Sequence, residues 1–144
     1  MAADRQACVL DTSAILAYVQ DEPGSARVGA LLKEALNEHR KIFISFATMS
    51  EVYYIVCQKN GLAAARKLVV LLKELPVTIV HSNERITLAA GRIKATCRLS
   101  FADAFIAATA LETKALLVHK DPEFEPLATS ITLEALPYKS RSIN

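Results

Sequence analysis

Apolar residues fall along this chain in blocks rather than in strict alternation. Five short runs are apolar almost throughout, at 8–10, 42–46, 77–81, 115–119 and 131–136. Strands apolar on both faces suit a sheet that is covered on both sides, as parallel sheets are. Between these runs the apolar positions recur every three or four residues, which is the helical period. Helices are expected over 13–19, 26–37, 50–60, 63–74, 83–96 and 102–113. Val28, Leu31, Leu32 and Leu36 form one stripe of the second, Gly61 stops the third and Pro76 closes the fourth. The order predicts an α/β fold, a three-layer α/β/α sandwich with a mainly parallel central sheet of about five strands. One domain is expected over 1–138, with 139–144 a loose C-terminal tail.

Composition narrows the picture only slightly. A chain of 144 residues with 52% apolar and 22% charged residues can build a core and is not of disordered type. Its net charge of +2 is too small to define a nucleic-acid binder, so any basic patch has to be local. Cys8, Cys57 and Cys97 are odd in number and widely separated, and read as small buried hydrophobes of a reducing compartment. No apolar run reaches the ~18 residues of a membrane helix, and no signal pattern opens the chain. A cytoplasmic protein without a membrane segment is the expectation.

The chemistry lies in isolated acids. "VLDTSAIL" places Asp11 where an apolar strand turns into a helix, and a buried carboxylate there needs solvent, donors or a cation. Glu51 follows the second strand in "SFATMSEVYYIV", Asp103 opens the apolar helix of "RLSFADAFIAATA", and Asp121 follows the fourth strand in "LLVHKDPEFE". Each has a structural explanation when taken alone. Thr48 and Glu51 match a capping box, Ser100 and Asp103 its looser form, Asp121 precedes Pro122 as an N-cap, and Asp11 can cap the helix near Ser13. Together they mean more, because open α/β sheets bind ligands beyond the carboxyl ends of their strands. Four acids gathered at that edge repel one another, and a hard divalent cation relieves the repulsion. With no histidine pair at helical spacing and no Cys-x-x-Cys, Mg²⁺ or Mn²⁺ fits better than zinc, and phosphoryl-oxygen chemistry follows.

"VLDTSAILAY", "SFATMSEVYYIV" and "RLSFADAFIAATALETKALLVHKDPEF" together resemble the PIN domain, in particular the VapC-type toxin ribonucleases. The resemblance spans nearly the whole chain. It implies that Asp11, Glu51, Asp103 and Asp121 are the catalytic, metal-binding acids, and that Ser13 holds a carboxylate or a metal-bound water. It further implies Mg²⁺- or Mn²⁺-dependent endonucleolytic cleavage of RNA, a small VapB-type antitoxin as partner, and a homodimer. Lys120 departs from the small or hydroxyl residue that relatives often carry before the last acid.

Three further signals have two readings each. Arg85, Arg92, Lys94 and Arg98, opposed only by Glu84, are either a grip on RNA phosphates or a solvated helix face. Tyr53 and Tyr54 read as packing residues, at the core or at an interface with a second copy or an antitoxin. His39, His81 and His119 read as structural, with His119 and Lys120 close enough to Asp121 to reach a substrate. A PIN-fold RNA-binding or scaffold protein, or a housekeeping RNA-processing nuclease, is the alternative to a toxin. A haloacid-dehalogenase-type phosphotransferase needs a second Asp where Ser13 stands, and a dinucleotide-binding fold needs glycines that "DTSAIL" lacks.

Overall fold

Strand β1 (Ala7–Leu10) is buried along its whole length, and this makes it the centre of the sheet. Successive side chains of a strand point to opposite faces. Ala7 and Val9 therefore enter one core while Cys8 and Leu10 enter the other. In this computed structural model, which describes residues 7–139, five strands lie in the order β3-β2-β1-β4-β5. The others are β2 (Lys41–Ser45), β3 (Thr78–Val80), β4 (Leu116–His119) and β5 (Leu133–Ala135). Every pairing is parallel, so the expected mainly parallel sheet is wholly so. Beyond Lys139 the expected tail lies outside the described residues.

Helices cover both faces. On one side pack α1 (Thr12–Val19), α2 (Ser25–Leu36), α3 (Phe46–Asn60) and α4 (Leu62–Glu74), with Leu31, Val52 and Leu72 in the core. On the other side pack α5 (Glu84–Thr96), α6 (Phe101–Thr113) and a 3₁₀ turn, Pro122–Thr129. Helix α6 is buried almost all round from Ala104 to Ala110, which its small side chains allow. Thr109, buried within it, satisfies its hydroxyl on the Phe105 carbonyl at 2.8 Å. Cys8 is buried, and burial pushes its thiol up to about 11, while Cys57 and Cys97 are only half-buried.

Two local expectations change. Helix α3 begins at Phe46, four residues before the expected start, because the buried Ser45 caps it by accepting from the Ala47 N–H at 3.1 Å. The Thr48–Glu51 capping box is therefore not used: Thr48 is buried inside the helix, and Glu51 is free to reach another partner. The stretch 122–129, with prolines at 122 and 126, forms a 3₁₀ turn capped by Asp121, as expected before Pro122.

The chain winds from β1 outward to β3 and then returns to β4 on the other side of β1. This reversal opens a crevice at the carboxyl ends of β1 and β4, the place where such sheets hold ligands.

Two glycines give an opposed test of the fold. Gly24 caps α2 at φ +101, and a Cβ there would meet the Leu136 side chain at 3.1 Å. Gly91 is helical and has nothing within 4 Å. Gly24→Ala should cost about 1–3 kcal/mol, whereas Gly91→Ala should stabilise by about 0.5–1 kcal/mol. Urea unfolding of the two variants checks both signs.

Candidate metal centre

Asp11 stands at the first turn after β1, and its backbone N–H continues the pairing with β4 by donating to the Val118 carbonyl at 3.1 Å. Its carboxylate, 3% exposed, caps α1 by accepting from the Ala14 N–H at 2.7 Å. The Ser13 hydroxyl lies 2.8 Å from both of its oxygens. The same hydroxyl accepts from the Lys120 N–H at 3.1 Å, so one side chain joins the end of β1 to the end of β4. Burial raises Asp11 to about 7; the bonds from Ala14 and Ser13 oppose this, and the charges of Asp103 and Asp121 add to it.

Asp103 lies in the first turn of α6, where its N–H donates to the Ser100 hydroxyl at 3.1 Å. Burial raises it to about 6, helped by the charge of Glu51 and opposed by Ser100, with Asp121 and Glu123 adding smaller contributions. Asp121 caps the 3₁₀ turn through the Glu123 N–H at 2.9 Å. The carboxylate oxygens of Asp103, Asp121 and Glu123 converge to within 4.8 Å of one another. Glu51 accepts a bond from Thr12 at 2.5 Å, and Thr12 also reaches Thr48 at 3.4 Å.

All four acids named from the sequence thus face the same sheet edge, but in different arrangements. Asp103 and Asp121 meet directly and are joined by Glu123. Asp11 and Glu51 stand outside this trio, each held by a hydroxyl of the segment that opens α1, yet Asp103 feels the charge of Glu51, and Asp11 feels those of Asp103 and Asp121. Glu123 and Thr12 escaped the sequence reading. The signal for Glu123 is its place directly after a capping Asp-Pro; for Thr12 it is a polar residue at a buried strand end.

Neither neighbour of Asp121 turns toward the acids as a substrate group. His119 is 1% exposed; its Nδ1 accepts from the Asp121 N–H at 3.1 Å, and burial lowers its basicity. Lys120 is also buried and sends its ammonium to the Pro23 carbonyl at 2.8 Å. Tyr53 packs against the α1–α4 core, whereas Tyr54 is exposed. Of the basic stretch, Arg85 pairs with Glu112 at 3.4 Å, and Arg92, Lys94 and Arg98 are exposed.

Among the described residues, none of the five carboxylates is in an ion pair with a lysine or arginine. An oxygen-only donor set without a compensating side-chain cation suits a hard divalent ion such as Mg²⁺ or Mn²⁺.

A parallel sheet that gathers its acids at the winding reversal defines an α/β protein with an acidic ligand edge. The sequence model of the PIN domain family matches residues 8–129, and the chain belongs to that family. Solved structures share the fold. A chain of the VapBC2 complex of Rickettsia felis, bound to a promoter DNA fragment, superimposes with a TM-score of 0.74 at 19% identity, covering 91% of this chain and 99% of that one. A chain of VapBC-1 from nontypeable Haemophilus influenzae gives 0.68 at 20% identity, over 90% and 97%. VapC20 of Mycobacterium tuberculosis, a sarcin-ricin loop cleaving toxin, gives 0.64 at 20% identity, over 90% and 99%. No curated protein sequence matches the chain.

The raised carboxyl groups make stability depend on pH. An unfolded aspartate titrates near ~4, whereas folded Asp11 holds its proton to about 7. Between these values the folded state binds more protons, so its stability is full below the lower one and is lost as pH rises through the upper one. Asp103 adds the same sign. In EDTA-containing buffer the Tm should fall between about pH 4 and about pH 7. Asp11→Asn should flatten that decline and melt at or above the parent at the alkaline end. Melting followed by circular dichroism decides it; an unaltered slope in Asp11→Asn would assign the effect to other groups.

Proposed function

We propose that the protein is a metal-dependent endoribonuclease, acting as the toxin of a VapBC-type toxin–antitoxin pair in the cytoplasm. The observation that carries this is the convergence of Asp103, Asp121 and Glu123, with Asp11 and Glu51 beside them, at the winding reversal of a PIN domain. The VapBC chains among the structural neighbours support a small VapB-type antitoxin as partner, and the family resemblance supports a homodimer.

Asp11, Glu51, Asp103 and Asp121 would hold Mg²⁺ or Mn²⁺, and Glu123 has the placement to join them. When bound, the ion would neutralise a phosphodiester, make a water nucleophilic and stabilise the leaving oxygen. Ser13 fixes the Asp11 carboxylate, and Thr12 fixes that of Glu51, so neither has to reorganise when substrate arrives. The raised proton affinities of Asp11 and Asp103 serve the same end: a cation displaces those protons and leaves both acids charged.

The test is cleavage of single-stranded RNA by the purified protein with Mg²⁺ or Mn²⁺. Glu51→Gln, Asp103→Asn and Asp121→Asn should fold, because amides replace carboxylates in size and capping, but should lose cleavage. Ser13→Ala should weaken metal binding by about 10–100-fold. Added Mn²⁺ should raise the Tm of the parent and not of Asp103→Asn. Cleavage by Asp103→Asn at the parental rate would overturn the assignment, and RNA binding without cleavage in the parent would return the chain to the binding-module class.

A further inference from the structure

A second feature adjoins the acids. A cleft of about 460 Å³ opens beside them, lined by Ser13, Lys59, Asp121, Pro122, Tyr138 and Lys139 among others. Its volume falls in the range of about 300–1,000 Å³ typical of small-ligand sites. Ser13 and Asp121 belong to both the cleft and the acidic edge, so a chain of linked groups can occupy both at once.

The cleft's charge differs from that of its neighbour. Lys59, Lys120 and Lys139 all line it, and apart from the shared Asp121 its only acid is Glu22. Glu22 is engaged by Lys139 at 3.2 Å, and Lys120 is committed to the Pro23 carbonyl. Lys59, in the last turn of α3, is exposed and makes no ion pair among the described residues. Tyr138 is 39% exposed but is not loose. Its hydroxyl donates to Glu125 at 2.9 Å, and its ring centre lies 6.1 Å from that of the buried His119. An anchored aromatic ring and an uncommitted ammonium therefore share a nucleotide-sized cleft that touches the acidic edge.

We propose that this cleft takes the nucleotide next to the scissile phosphate, with Tyr138 as the wall against its base and Lys59 on its phosphate. The inference rests on the ribonuclease reading and deepens it. Aromatic rings bind bases of single strands through their faces, and a lysine adds a salt-sensitive contact to the backbone. Lys59 and Tyr138 are thus positioning residues, outside the reacting atoms.

Binding of a fluorescein-labelled single-stranded RNA is measured on Asp103→Asn protein, which leaves the cleft intact, and cleavage is measured on the parent background. Lys59→Gln should weaken binding and flatten the slope of log Kd against log salt by about 0.7. Tyr138→Ala should weaken binding about tenfold, and Tyr138→Phe, which keeps the ring, by less than about twofold. In cleavage, Lys59→Gln and Tyr138→Ala should raise KM and leave kcat near the parental value. Parental affinity, salt slope and KM in both Lys59→Gln and Tyr138→Ala, from a parent that cleaves RNA, would overturn the cleft assignment and leave the nuclease reading standing. A parent that neither binds nor cleaves RNA with Mg²⁺ or Mn²⁺ would overturn both.

Discussion

The geometry at the carboxyl edge of the sheet depends on a single hydroxyl. Ser13 touches both oxygens of Asp11 and takes the N–H of Lys120, so the turn leaving β1 and the turn leaving β4 are held together where the winding reverses. It adds a side-chain link to the backbone bond from the Asp11 N–H to the Val118 carbonyl, between a turn that carries a buried carboxylate and one that leads into an acidic 3₁₀ turn. A carboxylate with 3% exposure cannot rely on water. It relies on the Ser13 hydroxyl and on the Ala14 N–H of α1, which explains why a polar pair interrupts an otherwise apolar strand-to-helix junction.

The arrangement stores a cost. Burial and mutual repulsion raise the proton affinity of Asp11 and Asp103, and among the described residues no basic side chain pairs with the acids. A protein selected for stability alone would place asparagines here, since they cap helices about as well. That these acids persist in so apolar a setting is what a site built for a cation looks like, and a stability–activity trade-off of this kind is common at functional centres.

Much of this was legible in the residues. The central strands could be read because β1, and most of β2 and β4, are buried on both faces, leaving continuous apolar runs, and the acids could be read because they stand isolated among such runs. Three features could not. The start of α3 was hidden because Phe46, Ala47 and Met49 extend an apolar strand run equally well, and only the Ser45 bond to Ala47 marks the break. Glu123 was hidden because an acid just after a capping Asp-Pro reads as an ordinary first-turn residue, and only the fold brings it within 4.8 Å of Asp103 and Asp121. Thr12 was hidden because its partner, Glu51, lies 39 positions away and only the fold brings them together.

Lys120 has one further effect. It is the cation nearest in sequence to the acidic trio, yet its ammonium is tied to the Pro23 carbonyl. The edge therefore keeps its negative field, and a polyanion approaching it without a metal ion would meet like charge. On the proposed reading, the ion acts as a toll gate: the nucleic acid is admitted only when the counter-charge is already seated. Had the lysine turned the other way, its single charge would have offset part of that field with no metal ion present.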